Sequence, residues 1–257
     1  FLPLKRARSG IIPNMDRPQK RSKSPRFRCW GLIVAAGSAQ RYGQEPPKQY
    51  QLIGDVPLLQ FSLNCFNAVP DIAGMVVGVS AIDQWFDSLC QAPAKFLGVF
   101  VGGASRSETV LRGLEALTSH AEADDWVLVH DAARPCLRVS DLQYLIDEVV
   151  DEEVGGILAA PVWDTLKVAD RHGNVHKTLC RQRVWRAMTP QMFRLEALTQ
   201  ALNACLGSLE DVPDEASAIE RSGRPVKLVR GRDDNLKVTV EADLDRVAAI
   251  LKNEGRF

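Results

Sequence analysis

The sequence lacks the features that mark several large classes of protein. Its six cysteines are scattered and form no C-x-x-C pair, which argues against zinc knuckles and against a dense disulfide framework. No apolar run approaches the roughly 18 residues of a membrane-spanning helix, so we expect no membrane partner. Neither G-x-x-x-x-G-K-[ST] nor G-x-G-x-x-G occurs, so both common phosphate-binding fingerprints are absent. What remains is a 257-residue chain with 46% hydrophobic and 25% charged residues, typical of a globular protein with a sizeable core.

Charge is unevenly distributed, although the formal net charge is zero. Nine of the 32 Lys and Arg residues but only one of the 32 Asp and Glu residues lie in residues 1–30, which leaves a net charge of −8 for the remainder. We therefore predict a disordered basic extension over residues 1–29 and one domain over residues 30–257. The acidic body argues against a nucleic-acid partner. We expect a cytoplasmic protein, or one of a plastid or other organelle if residues 1–29 are a transit peptide.

An apolar run over residues 31–36 predicts a buried strand that ends in a small, glycine-containing turn. The amides of residues 36–38 can face phosphate oxygens because no bulky side chain stands before them. Two cations follow, Arg41 and Lys48, and the second comes directly after Pro46 and Pro47. This pattern suits a nucleotide triphosphate; the alternative is an ordinary strand-to-helix turn with two solvated cations.

Predicted strands and helices alternate along the chain. Strands are expected at 72–79, 96–101, 126–130, 156–160 and 226–229, and helices at 57–67, 83–90, 106–117, 140–150, 195–206, 214–222 and 241–252. Ser105 and Asp214 are the expected caps of two of these helices. The alternation predicts an α/β protein of Rossmann-like type, with a mostly parallel twisted sheet flanked by helices. Ligands of such sheets bind at the carboxyl ends of the strands, which here carry small or charged residues: Ala36-Gly37, Gly102-Gly103, Asp131 and Pro161.

The segment from about 162 to 189 interrupts the alternation. It contains two short alternating stretches around an Asn- and Gly-containing turn, which predicts a β-hairpin. A two-stranded hairpin has little core of its own and must lie against something else. We predict an arm that packs on a second subunit; the alternative is a flap over its own chain.

Asp131 is the main candidate for metal chemistry because it directly follows an apolar strand near the glycine loop. There a carboxylate can hold Mg²⁺ against a triphosphate; the alternative is a helix cap or an ion pair with Arg134. His130 could act as a general base, but strand alternation points it inward and favours a buried structural histidine. No Ser/His/Asp or Cys/His arrangement is evident, so we expect the substrate to supply the nucleophile. Candidate anion-binding cations are Arg41, Lys48, Arg106, Arg134, Lys167, Arg181 and Lys237.

Seven stretches in this order resemble one family, the 2-C-methyl-D-erythritol 4-phosphate cytidylyltransferases. They are IVAAGSAQRYGQEPPKQY, VGGASRSETV, VLVHDAARPC, GGILAAPVWDTLK, RVWRAMTPQMF, DEASAIE and GRDDNLKVT. The first is shared by many nucleotidyltransferases, whereas HDAARP, AAPV-x-DT-x-K and DN-x-KVT together point to this family. The resemblance implies a nucleotidyltransferase fold, a homodimer joined through the arm, and cytidylyl transfer from CTP to methylerythritol phosphate with release of pyrophosphate.

The resemblance also implies roles by motif position. The predicted catalytic residues are Arg41, Lys48, Asp131 and Lys237, with Arg41 and Lys48 on the triphosphate and Asp131 on Mg²⁺. The predicted CTP contacts are Ala35, Ala36, Gly37, Gly102, Gly103 and Thr109. The predicted contacts with the second substrate are Arg134, Thr189 and Lys237, together with Thr165 and Arg181, which would reach the neighbouring subunit's site from the arm.

Three positions depart from the family pattern: Val34 replaces a common Pro, Ala104 an acidic residue and Pro213 a substrate-contacting Thr. None of these removes a predicted catalytic cation. Two alternative functions stay open at this point. One is cytidylyl transfer to another polyol phosphate such as ribitol 5-phosphate, and the other is a non-catalytic nucleotide-binding subunit.

Overall fold

The computed structural model describes residues 27–37, 45–206 and 212–257. Residues 1–26 of the predicted extension lie outside these ranges. So do Ser38 and Arg41 of the predicted phosphate loop, and the role of Arg41 stays a prediction.

Strands and helices alternate through most of the described chain. The strands are β1 Cys29–Val34, β2 Leu52–Ile53, β3 Val56–Pro57, β4 Ile72–Val79, β5 Phe96–Val101, β6 Trp126–Asp131, β7 Gly155–Pro161, β8 Lys167–Ala169, β9 Val175–Thr178, β10 Trp185–Arg194 and β11 Lys227–Arg230. The helices are α1 Leu58–Ala68, α2 Phe86–Leu89, α3 Arg106–Leu117, α4 Val139–Val149, α5 Leu195–Cys205, α6 Glu215–Arg221 and α7 Ala242–Asn253. None of the described helices is long and apolar enough to cross a membrane.

Seven strands form one sheet in the order β11-β7-β10-β6-β1-β4-β5. All neighbouring pairs are parallel except those of β10, which runs antiparallel to both β6 and β7. The prediction of a mostly parallel α/β sheet is therefore confirmed. No strand was predicted at β10, and this strand contains Pro190, which cannot donate a ladder hydrogen bond. The structure accommodates this proline where the pairing of β10 with β7 shifts register between Ala187 and Gln191.

The core lies on both faces of this sheet. On one face, α1 and α4 pack through residues such as Leu63 and Leu145. On the other face, α3 and α5 pack through residues such as Leu114 and Leu198. Because β1 and β6 are covered on both sides, every residue of β6 is buried. This sandwich fixes the strand ends that carry the candidate site.

The predicted hairpin is present as β8 and β9, which pair antiparallel in a separate two-stranded sheet. Its strands are largely exposed, and Val175 keeps 63% of its surface accessible. The hairpin is followed by β10, which begins at Trp185, so the last residues of the predicted 162–189 arm belong to the central sheet. The exposure agrees with an arm that lacks a core of its own, while its role in dimerisation stays a prediction.

Candidate active site

Three loops meet at the carboxyl edge of the central strands. Val34, the last residue of β1, pairs with Asp131 of β6 and with Gly78 of β4. Backbone hydrogen bonds continue past the strand ends, from Ala35 N to the oxygen of Gly78 (2.8 Å) and from Gly102 N to the oxygen of Val79 (2.8 Å). The first residues after β1, β5 and β6 therefore lie at one edge of the sheet, as the sequence predicted.

Around the two glycine loops, the backbone packs so closely that residues 102 and 103 have no room for a side chain. A Cβ added at Gly102 would lie 2.3 Å from the Cβ of Ala36, and one at Gly103 would lie 2.4 Å from Glu108 Cγ. Gly37, the last residue described before residues 38–44, makes no such contact with the described residues beyond its chain neighbours. Glycine at positions 102 and 103 is therefore what allows the close packing at this edge, as a loop that receives a phosphate or a nucleoside requires.

Thr109, a predicted CTP contact, lies beneath the second glycine loop. It is only 2% exposed, and its Oγ1 accepts a hydrogen bond from Gly103 N (3.0 Å) and donates one to the oxygen of Ser105 (2.9 Å). The side chain thus holds Gly103 against the first turn of α3. We expect Thr109 to shape the loop that would receive CTP.

Asp131 is surrounded by cations. Its Oδ1 accepts from Arg106 Nε (3.1 Å), and its Oδ2 lies 2.7 Å from Lys237 Nζ and 3.9 Å from Arg134 Nε. Burial alone would raise the pKa of Asp131, but Arg106 and Lys237 outweigh burial and hold this pKa well below its ordinary value. The expected pairing with Arg134 is the longest of these contacts, so Asp131 is held mainly by Arg106 and Lys237.

A second buried carboxylate lies behind Arg106. The guanidinium of Arg106 is bidentate on Glu215, with NH1–Oε1 at 2.5 Å and NH2–Oε2 at 3.0 Å. The Glu215 side chain is 1% exposed, and burial raises its pKa although Arg106 opposes the rise. Sequence reasoning gave Arg106 no role beyond the cationic set and missed Glu215. Its position next to the confirmed cap Asp214, which accepts from Ser217 N (3.0 Å), was the available signal.

Arg134 and Thr189, two of the residues predicted to contact the second substrate, are connected through Asn235. Arg134 NH1 donates to the oxygen of Asn235 (2.8 Å), and Asn235 Nδ2 donates to the oxygen of Thr189 (2.9 Å). The Thr189 hydroxyl accepts from Asp131 N (3.1 Å), and Thr189 is 4% exposed. Thr189 therefore holds the backbone of Asp131 in place. Asn235, which was not predicted, joins the loop that carries Lys237 to β10.

His130 is the buried structural histidine that strand alternation favoured. It is fully buried, with Nδ1 3.0 Å from the hydroxyl of Thr189 and Nε2 3.2 Å from the oxygen of Arg134. Burial lowers the pKa of His130 to about 4. The ring is thus neutral near pH 7 with both nitrogens occupied, which leaves it no place as a general base.

The arm residues are not brought to this cluster within one chain. Thr165 and Arg181 are exposed, and the Arg181 guanidinium donates to the backbone oxygen of Trp163. In the described part of the chain, neither residue bonds to Asp131 or Lys237. A shared site with a second copy of the chain would be needed to bring them there.

Metal binding would depend on few protein ligands. Among the described residues, no three His, Cys, Asp or Glu side chains group as a metal site. Mg²⁺ in nucleotide enzymes is commonly held by one or two carboxylates and by substrate phosphates. Asp131, an ionised carboxylate that pairs with the last residue of β1 before the first glycine loop, fits that donor set.

Comparison with known proteins identifies the family of this chain. The family model for 2-C-methyl-D-erythritol 4-phosphate cytidylyltransferase matches residues 30–253. The chain belongs to this family. It is 48% identical over 217 residues to the Pseudomonas putida KT2440 protein of that name, covering 84% of this chain and 92% of that protein.

Two solved structures agree with the family assignment. A 4-diphosphocytidyl-2C-methyl-D-erythritol synthase is 36% identical, with a TM-score of 0.76 over 88% of this chain and 99% of that chain. The Francisella tularensis 2-C-methyl-D-erythritol 4-phosphate cytidylyltransferase is 31% identical, with a TM-score of 0.75 over 87% of this chain and 100% of that chain. The resemblance inferred from sequence motifs is therefore confirmed for both the family and the fold.

Proposed function

We propose that the protein transfers the cytidylyl group of CTP to 2-C-methyl-D-erythritol 4-phosphate. The products are 4-diphosphocytidyl-2-C-methyl-D-erythritol and pyrophosphate, in the non-mevalonate pathway to isoprenoid precursors. The observation that carries the proposal is the convergence of Arg106, Arg134 and Lys237 on Asp131 at the sheet edge that also carries the glycine loops. Such a cluster can hold two phosphate-bearing molecules against their mutual repulsion.

The reaction needs no nucleophile from the protein. A phosphate oxygen of methylerythritol phosphate attacks the α-phosphorus of CTP, and the bond from that phosphorus to the bridging oxygen breaks as pyrophosphate leaves. A phosphate monoester is largely dianionic at neutral pH, so no base is required. Lys48, Lys237 and the predicted Arg41 would offset the negative charge that is spread over the transferred group.

A divalent cation, taken here as Mg²⁺, would be held by Asp131 and by the phosphates of CTP. When bound, it would neutralise triphosphate charge and favour departure of pyrophosphate. Lys237 Nζ lies 2.7 Å from Asp131 Oδ2, so its ammonium group is held beside the carboxylate that would hold the cation. Arg106 would keep Oδ1 in place throughout.

We further propose that the working form is a homodimer. The hairpin β8–β9 is exposed, and Thr165 and Arg181 bond to neither Asp131 nor Lys237 in their own chain. An arm that packs on a second copy would bury this surface and carry both residues to the partner's site. The cytoplasmic location stays a prediction.

A pyrophosphate-release assay tests the proposal. Purified protein with CTP and Mg²⁺ should release pyrophosphate with methylerythritol phosphate, should do so far more slowly with ribitol 5-phosphate, and should stop when EDTA is added. A preference for ribitol 5-phosphate would overturn the substrate assignment. Binding of CTP without pyrophosphate release with any polyol phosphate would establish the non-catalytic alternative.

A further inference from the structure

The Lys48 turn has hydrogen bonds of its own, one of them from Gln51 Nε2 to the oxygen of Pro46 (2.5 Å), but these bonds do not connect it to the glycine loop. Lys48–Tyr50 is a single 3₁₀ turn, closed by hydrogen bonds from Tyr50 N to the oxygen of Pro47 (2.8 Å) and from Gln51 N to the oxygen of Lys48 (3.1 Å). Such short turns have poor hydrogen-bond geometry and depend on their surroundings. Other contacts must therefore fix Lys48 relative to the glycine loop.

Gln49 makes the direct link to that loop. Its side chain is buried, at 3% exposure, and Nε2 donates to the oxygen of Ala35 at 2.7 Å. Ala35 is the first residue after β1, and its own amide donates to the oxygen of Gly78 at 2.8 Å. The Gln49 amide thus joins the Lys48 turn to the first residue of the glycine loop, while that residue is itself bonded to β4.

Tyr50 holds the other side of the turn. It is fully buried, and its hydroxyl donates to Asp83 Oδ2 at 2.6 Å. Asp83 Oδ1 also accepts from Trp85 N (3.1 Å) and Phe86 N (3.0 Å) at the start of α2. Consequently, loss of the Gln49 contact should shift the turn toward solvent at the glycine-loop side without detaching it.

We propose that Gln49 is a positioning residue that sets the distance from Lys48 to the phosphates of CTP. The inference rests on the proposed function, in which Lys48 acts on the transferred group. It follows from geometry because Gln49 adjoins Lys48 in the chain and bonds the backbone of the loop that would carry the nucleotide. A misplacement of about 1 Å in such a site is enough to lower a rate by about 10²-fold.

The first test compares two buried glutamines. Gln49→Met removes the donor at similar volume, and Gln60→Met does the same in α1, where Nε2 donates to the oxygen of Gln91 (3.1 Å). We expect Gln49→Met to lower kcat about tenfold or more while the KM for CTP changes by less than about threefold. Gln60→Met should lower thermal stability and leave kcat unchanged. An unchanged kcat for Gln49→Met would overturn the proposal.

The second test asks whether Gln49 acts through Lys48. In a Lys48→Ala background, adding Gln49→Met should change kcat by less than about twofold, because the side chain being positioned is gone. A full additional loss would show that Gln49 acts by another route and would overturn the proposal. Gln49→Glu, which also lacks the amide donor, serves in both tests if the Met variant fails to fold.

The two proposals fail in different ways. Wild-type protein that releases no pyrophosphate with any polyol phosphate contradicts the function. Active wild-type protein with a wild-type kcat in Gln49→Met contradicts only the positioning role.

Discussion

The ion pair between the partly exposed Arg106 and the buried Glu215 allows a prediction in which stability and activity separate. Glu215→Ala removes a carboxylate that is 1% exposed and leaves the Arg106 guanidinium with Asp131 as its remaining carboxylate partner. Removing one member of a buried ion pair leaves a poorly compensated charge and typically costs about 3–5 kcal/mol. For a chain of this size we therefore expect Tm to fall by roughly 6–20 °C.

The double variant Arg106→Met/Glu215→Met is the control. Replacing both members of a buried pair by apolar side chains is often neutral for stability, but here the buried Asp131 also loses Arg106, so only part of the lost Tm should return. The double variant should have low activity, because Asp131 Oδ1 has lost its 3.1 Å contact with Arg106. We expect kcat to stay about tenfold or more below the wild-type value.

Thermal unfolding followed by circular dichroism, together with pyrophosphate release at saturating substrates, measures both quantities. A Glu215→Ala protein with the wild-type Tm would refute the energetic reasoning. A double variant with wild-type kcat would refute the role of Arg106 in holding Asp131.

Three further predictions concern single residues. Because burial lowers the pKa of His130 to about 4, the unfolded chain takes up a proton first as the pH falls. The free energy of unfolding of the metal-free protein should therefore fall by about 3 kcal/mol between roughly pH 6.5 and 4. Urea denaturation at a series of pH values measures this fall, which should be smaller in His130→Gln. The same pH dependence in both proteins would contradict the prediction. Lys48→Ala should lower kcat by ~10²-fold in steady-state kinetics, and an unchanged kcat would remove Lys48 from the mechanism. Arg181→Ala protein should release pyrophosphate slowly, and mixing it with Arg41→Ala protein should restore part of the activity. No gain in activity on mixing would exclude sites shared between chains.

Local sequence signals predicted much of the fold. The strands Ile72–Val79 and Phe96–Val101 and the helix Arg106–Leu117 occupy the predicted ranges. In each, the spacing of apolar residues agrees with the turn or capping residues at its ends. Ser105 caps the helix by accepting from Glu108 N (3.1 Å). The strand β10 could not be predicted in this way, because Pro190 is tolerated only through a register shift that depends on the neighbouring strand β7.

The candidate site was predictable where its residues follow strands. Asp131 and Gly102 come directly after or at the ends of apolar strands, so parallel-sheet geometry alone brings them to one edge. Glu215 could not be placed from the sequence, because it begins a helix 109 residues after its partner Arg106. Charge type and local pattern predict a cation near the site, but only the tertiary fold decides which carboxylate it meets.

The most direct test of the account is the turnover of Asp131→Asn. The matched control is Asp125→Asn, which changes a buried aspartate at the opposite end of β6, where Oδ2 accepts from Trp30 Nε1 (2.9 Å). With CTP, methylerythritol phosphate and Mg²⁺, we predict that Asp131→Asn lowers kcat by about 10²-fold or more and that folded Asp125→Asn keeps the wild-type kcat. A wild-type kcat for Asp131→Asn would contradict the account at its centre.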